Sequence, residues 1–174
     1  MQENTAGMIL DEPDPALVRA FNRQFYTGVT VVTTKDGETA RGLAVSSYAT
    51  VSMDPPLIMV CIQHTSSTYP VLFAATHLGV NVLGNDQRGV VSVFSSKADD
   101  KFASVEWREG PHGSPLIDGS AAMIEAEIRE RFQAKTHTVF ICRVRYAEVS
   151  DKPPMLYSGG RFFDAASLDE LATE

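Results

Sequence analysis

Between Gly42 and Asn85 the chain carries one charged side chain, Asp54, yet it is rich in hydroxyls, with Ser46, Ser47, Ser66, Ser67 and Thr68 in two short groups. Hydroxyls and neighbouring backbone N–H groups are neutral, aimed donors, suited to the polar rim of a ligand or, in a turn, to an anion. The same residues suit the inner strands of a barrel, where charge is excluded and Ser or Thr bonds to backbone. Both readings stand on the residues alone. Motifs for nucleophile, metal or phosphate chemistry are missing: there is no G-x-S-x-G elbow, no H-E-x-x-H, no P-loop and no G-x-G-x-x-G. No catalytic residue is therefore assigned. No two of His64, His77, His112 and His137 share an i, i+4 helical spacing, so no metal site is expected. His137, between Thr136 and Thr138 at the start of a strand, either orients a ligand at a barrel rim or is a plain edge residue. Cys61 and Cys142 lie far apart in apolar runs and read as buried reduced thiols.

These residues need elements to hold them. Asp14 as N-cap and Pro15 at the first position predict a helix over 15–25, with Leu17, Val18, Phe21 and Phe25 on one face. Val29 to Thr34 are all β-branched, and with Lys35-Asp36-Gly37 as a turn and Thr39 to Ser46 they predict a hairpin. A strand over 48–52 stops at Asp54-Pro55-Pro56, and 57–62 resumes as a buried strand. A short helix over 69–75, a strand over 77–83 and a helix starting at Asn85-Asp86, with Val90, Val91 and Phe94 on its apolar side, follow. Lys97 to Gly113 reads as a charged surface excursion holding the single Trp, Trp107. In Ala121 to Gln133 the spacing of Ile124, Ile128 and Phe132 fits helix or strand. Ala122 and Ala126 inside, with Glu125, Glu127, Arg129 and Arg131 outside, favour strand. A strand over 138–149 ends before Pro153-Pro154, and the tail from Ala165 reads as a terminal helix.

Strands outnumber helices without regular βαβ alternation, so the expected fold is mainly β, an antiparallel barrel with peripheral helices. The 174 residues suffice for one domain over 15–164, with a flexible segment 1–14 and a tail 165–174. The net charge of -7 disfavours nucleic acid as a partner. Met1 to Leu10 holds no Lys, no Arg and no apolar core of a signal peptide, so a cytoplasmic location is expected. No continuous apolar stretch is long enough to span a membrane.

Several pieces converge in order and spacing: Thr27 to Thr34, Gly42-Leu43-Ala44-Val45-Ser46-Ser47-Tyr48, Val51 to Leu57 and Asn81-Val82-Leu83. Asp100-Lys101-Phe102, Gly113 to Leu116, His137 before a strand, Pro154 to Tyr157 and Gly159 to Phe162 continue the series. From about Phe21 to Phe163 the chain resembles the flavin reductase family of two-component monooxygenases. The resemblance implies a Greek-key split β-barrel related to FMN-binding proteins, usually a homodimer, with FMN or FAD in a groove near the subunit interface. It implies hydride transfer from NADH or NADPH to the flavin, and release of reduced flavin to a partner oxygenase.

Carried over by position, the resemblance puts Ser46, Ser47 and Tyr48 beside the isoalloxazine ring and Cys61, Ile62 and Gln63 on its other side. Ser66, Ser67 and Thr68 match a phosphate-binding turn, with Lys101 as the nearby cation. His137 matches a histidine that meets the nicotinamide cofactor, and Arg161 and Phe162 lie near the same mouth. Where the family often has Gly-Asp before that histidine, this chain has Lys135-Thr136. Since the cofactors supply the reactive atoms, such a site needs no acid or base of its own. Two other readings are a non-catalytic FMN-binding module for electron storage or sensing, and a reductase for a different acceptor such as ferric complexes.

Overall fold

The computed structural model describes residues 12–171. Residues 1–11 of the expected N-terminal segment and 172–174 of the expected tail lie outside the described residues. Helix α1 (Pro15–Asn22) is capped by the Asp14 carboxylate, which accepts from Ala16 N at 2.8 Å. It stops three residues short of the expected end and buries no residue, so its apolar stripe stays in solvent in the single chain.

Strand β1 (Thr27–Gly28) leads into the hairpin of β2 (Thr30–Asp36) and β3 (Thr39–Val45). The turn is Gly37-Glu38, later than expected, because Lys35 and Asp36 still pair with Ala40 and Thr39. Gly37 sits at φ 56, the positive value a two-residue hairpin loop needs. A second hairpin, β4 (Ala49–Met53) and β5 (Pro56–Gln63), turns at Asp54-Pro55. After α2 (Tyr69–Ala74) come β6 (His77–Val82) and α3 (Arg88–Ser95). The short pair β7 (Trp107–Glu109) and β8 (Pro115–Ile117) precedes the long pair β9 (Ala122–Ala134) and β10 (His137–Val149). Strands β11 (Met155–Ser158) and β12 (Arg161–Asp164) pair with β1 in a separate small sheet.

The main sheet runs β3-β2-β6-β9-β10-β5-β4, every neighbour antiparallel. Its two edge strands are joined by only Ser46, Ser47 and Tyr48, a span of at most about 14 Å. The sheet must therefore roll up until its edges nearly meet. Ser47 bridges the seam: its hydroxyl donates to Cys61 O at 2.9 Å and accepts from Cys61 N at 3.1 Å. The mainly β, antiparallel split barrel expected from the sequence is the fold observed.

Two apolar clusters share the sheet. One fills the barrel with Val32, Val60, Ile62, Leu78 and Phe140, and the other packs outside it with Val31, Leu83, Phe94, Phe102 and Met155. Strand β2 serves both through alternation of its side chains, which explains its unbroken β-branched run. Each fully buried large side chain contributes roughly 1.5–3 kcal/mol.

Three expectations need correction. The stretch Lys97 to Gly113 is not wholly a surface excursion: Phe102 is buried and packs edge-on to Phe94 at 5.0 Å and to Trp107 at 5.3 Å. Glu125, expected outside, is fully buried, because the 110–114 loop folds over it and donates His112 N at 2.9 Å and Ser114 N at 2.8 Å to its carboxylate. The tail forms one 3-10 turn, Ala165–Ser167, capped by Asp164, rather than a terminal helix. Both cysteines are free thiols, but only Cys142 is buried as expected, which pushes it up to about 12; Cys61, on the opposite face of β5 from the barrel core, is half-buried. No helix among the described residues is long and apolar enough to cross a membrane.

Candidate functional site

A groove follows β3 on the outer side of the barrel. Alternation turns Leu43 and Val45 toward the barrel core and Ala40, Gly42 and Ala44 outward, so this face of β3 is lined by very small groups. Helix α3 forms the opposite wall. It approaches closely because Gly42 has no side chain: a Cβ there would sit 2.7 Å from Phe94 Cε1. The wide end of the groove is a cleft of about 400 Å³ between Ala44, Ser46, Val91, Ser95, Tyr157 and Phe162. No charged side chain lines it. Phe162 packs edge-on to Tyr157 at 5.2 Å, and the Arg88 guanidinium lies 3.8 Å over the Phe162 ring, which fixes that ring by a cation–π contact. A side cleft of about 330 Å³ opens beside it, sharing Ser46 and Tyr157 and reaching Arg23 and Phe25.

Further along β3, sharing no lining residue with the wide cleft, a neck of about 10 Å³, room for one water-sized group, lies between Arg41, Gly42, Ser67, Thr68 and Lys101. Lys101 Nζ donates to Gly42 O at 3.3 Å and Phe94 O at 3.1 Å. No carboxylate pairs with it among the described residues, and partial burial pulls its pKa below the usual lysine value. The three hydroxyls of the neighbouring turn are used unequally. Thr68 is buried and spends its proton on Gly42 O at 3.1 Å, which ties the start of α2 to β3. Ser66 Oγ accepts from Thr68 N at 3.2 Å. Ser67 is exposed, with no hydrogen bond from its hydroxyl among the described residues.

The structure thus brings Ser46 together with Phe162 in the wide cleft, and Ser67 and Thr68 together with Lys101 at the neck. It does not bring the rest there. The Ser47 side chain is spent on Cys61, and Tyr48 is 36% exposed at the surface. Ile62 points into the barrel core and is fully buried, so its side chain cannot touch a ligand in the groove, while Cys61 and Gln63 face the other way. Gln63 and His137 are cross-strand partners at the ends of β5 and β10, away from the residues lining the cleft. Arg161 is exposed at the start of β12.

The Thr136 hydroxyl lies 2.9 Å from His137 Nδ1 and limits how that ring can turn. Lys135, where the family often has glycine, sits at φ 53 in the two-residue turn between β9 and β10, a left-handed conformation that costs a lysine about 1 kcal/mol. Sequence reading missed Gly42, Val91, Ser95 and Tyr157. Val91 was legible as an apolar face, but nothing local showed that part of this face borders open space.

A family model described as flavin reductase like domain matches residues 22–166. The reductase subunit HsaB of a flavin-dependent monooxygenase from Rhodococcus jostii is 35% identical over 86% of this chain and 77% of its own length. The reductase component of the trigonelline monooxygenase from Acinetobacter baylyi is 36% identical over 82% of this chain, which spans about half (46%) of that relative. Among solved structures, the NADH:FAD oxidoreductase SgcE6 of Streptomyces globisporus, in complex with NAD and FAD fragments, superposes with a TM-score of 0.81 at 34% identity. That match covers 88% of this chain and 94% of SgcE6. The family match runs through all strands of the barrel and both walls of the groove, and by it this chain belongs to the flavin reductase like domain family.

Proposed function

We propose that the protein is an NAD(P)H:flavin oxidoreductase that delivers reduced flavin to an oxygenase component. The observation that carries this reading is the uncharged cleft between β3 and α3, with the half-buried Lys101 ammonium, which pairs with no carboxylate among the described residues, further along the same strand. At about 400 Å³ the cleft falls within the usual range of small-ligand pockets, roughly 300–1,000 Å³. Its walls, Ala44, Val91 and Phe162, suit the faces of a flat aromatic ring, and Ser46 offers a hydroxyl and a backbone N–H at its edge. Lys101 and Ser67, which border the neck, offer an ammonium and an exposed hydroxyl to a flavin phosphate lying at its mouth, with Thr68 shaping the turn rather than donating to it. The residues present therefore fit a flavin.

When bound, the flavin accepts at N5 the hydride that NAD(P)H gives from C4. The chain's own task is placement: apolar walls exclude water, the rim of Ser46 fixes the ring in its plane, and Lys101 anchors the phosphate end. Near-attack distances of about 3–3.5 Å between the reacting atoms require both rings to be held, not activated. His137, steadied by Thr136, and Arg161 are assigned to the nicotinamide side on the family resemblance, which puts Cys61 and Gln63 on the far side of the flavin ring. The uncovered apolar face of α1, with Leu17 67% and Phe21 64% exposed, supports pairing of two copies. The two free thiols accord with a reducing, cytoplasmic setting.

Anaerobic mixing of the protein with NADH or NADPH and excess FMN or FAD tests the reading. Many turnovers of free flavin, seen as loss of its visible absorbance, are expected. Bleaching of bound flavin alone would favour the electron-storage or sensing module, and no bleaching would refute the reductase.

A further inference from the structure

His137 stands at a strand end that needs support from outside. The turn before it, Lys135-Thr136, holds Lys135 in the left-handed region at φ 53, so relaxation of that turn is favourable unless something pins it. One histidine from the loop after β5 pins both neighbours of His137. His64 N donates to Thr136 O at 2.9 Å, and His64 Nε2 lies 3.0 Å from Thr138 Oγ1. Thr136 in turn places its hydroxyl 2.9 Å from His137 Nδ1. Backbone and hydrogen bonds together close a ring of contacts that runs from His64 through Thr136, His137 and Thr138 and back to the His64 imidazole.

The clamp is itself held. Thr138 is fully buried, and its hydroxyl has one proton to give, so it donates to one neighbour and accepts from the other. Those neighbours are His64 and Tyr69, whose hydroxyl lies 2.9 Å away. The Tyr69 ring also packs on the His64 imidazole, with centroids 4.8 Å apart. Tyr69 opens α2, so the imidazole is fixed by a strand on one side and a helix on the other. Strands β5 and β10 already pair from Leu57 to Gln63, so this trio is not needed to hold the ladder together. None of the three lines the wide cleft.

We infer that His64 and Thr138 are positioning residues for His137, which set how its imidazole meets the nicotinamide and touch neither cofactor themselves. Tyr69 supports them through the Thr138 hydroxyl. The inference rests on the assignment of His137 to the nicotinamide side. Where the family often has aspartate before that histidine, Thr136 offers a neutral hydroxyl, and its aim depends on where the turn is pinned.

Thr138→Val keeps the side-chain shape and removes the hydroxyl, whereas Thr138→Ser keeps the hydroxyl. With flavin in excess, Thr138→Val is expected to raise KM for NAD(P)H about fivefold, the size of one lost hydrogen bond, with kcat and KM for flavin little changed. Thr138→Ser is expected to restore most of that loss. In a double-mutant cycle on a His137→Ala background, Thr138→Val is expected to add nothing to KM for NAD(P)H, because the group it positions is gone. A readout without turnover is the NMR spectrum of the cofactor-free protein. The His137 ring signals, identified among four histidines by their loss in His137→Ala, are expected to move in Thr138→Val and to return in Thr138→Ser. Should Thr138→Val fail to fold, His64→Phe, which keeps a ring against Tyr69 and removes the bond to Thr138, carries the same cycle and the same spectrum. Full additivity in the cycle, or unmoved His137 signals, would overturn the inference. A rise in KM for flavin alone would also overturn it, and would make the trio a support of the 64–68 turn. An unchanged KM for NAD(P)H in His137→Ala would instead overturn the assignment of His137 on which the inference rests.

Discussion

Around β9 the charged side chains are closed on partners, backbone or ionic, whereas beside β3 a half-buried ammonium has no carboxylate partner among the described residues. Glu125, fully buried, takes both of its hydrogen bonds from the loop that covers it, and Gly110 is pressed so close that a Cβ would overlap the carboxylate. Nearby, Glu127 is clasped by Arg145 and Arg129, and Arg108 joins Asp118 at 2.9 Å and Glu148. These groups have spent their valence on the fold. Lys101 has only two backbone carbonyls, each a partner for a dipole rather than for a charge. Closed charges hold a structure together, and a cation left open beside a neutral cleft is available to a ligand.

The contrast predicts opposite phenotypes. Glu125→Ala removes two charge-assisted hydrogen bonds and leaves Ser114 N buried and His112 N part-buried without their acceptor, so a stability loss of about 3 kcal/mol is expected in denaturant titration. Next in size, Lys101→Met is expected to weaken flavin binding by about 2 kcal/mol, roughly thirtyfold, while moving stability by less than about 1 kcal/mol. The comparison breaks if Lys101→Met unfolds the chain, or if Glu125→Ala spares it.

Ser47→Ala sharpens the boundary between the regions, since its side chain belongs to the seam and not to the cleft. A stability loss of about 1–2 kcal/mol is expected from the two bonds to Cys61. The smallest effect belongs to Glu127, whose carboxyl the Arg145 and Arg129 hydrogen bonds hold near 2 against an ordinary 4.5. A depressed carboxylate contributes fully above about 4.5 and loses its contribution as pH falls toward 2. Glu127→Gln is therefore expected to flatten the acid side of the stability profile and to change little at pH 7, because the pair is exposed.

Much of the barrel was legible because its signals are local. The β-branched run over 29–34, the turn at Asp54-Pro55 and the apolar side of α3 each follow from backbone preference within a few residues, although Pro56, expected in the stop, opens β5. Glu125 was not legible for a different reason. Its parity along β9 matches Glu127, and only the return of a loop eleven to fifteen residues upstream decides that one is covered and the other is not. Phe102 was lost in a charged stretch because no local periodicity shows that it packs edge-on against both Phe94 of α3 and Trp107. In the site itself, Ser46, Phe162 and Lys101 followed from motif and resemblance. The commitments of Ser47, Ile62 and Thr68 depend on which way a side chain turns once the seam closes.

The central claim is that flavin occupies the β3 groove, and a crystal structure of the protein soaked with FAD tests it most directly. The account predicts the isoalloxazine between Ala44, Val91 and Phe162, with its phosphates beside Lys101. Flavin density away from β3, with the groove filled only by solvent, would contradict it.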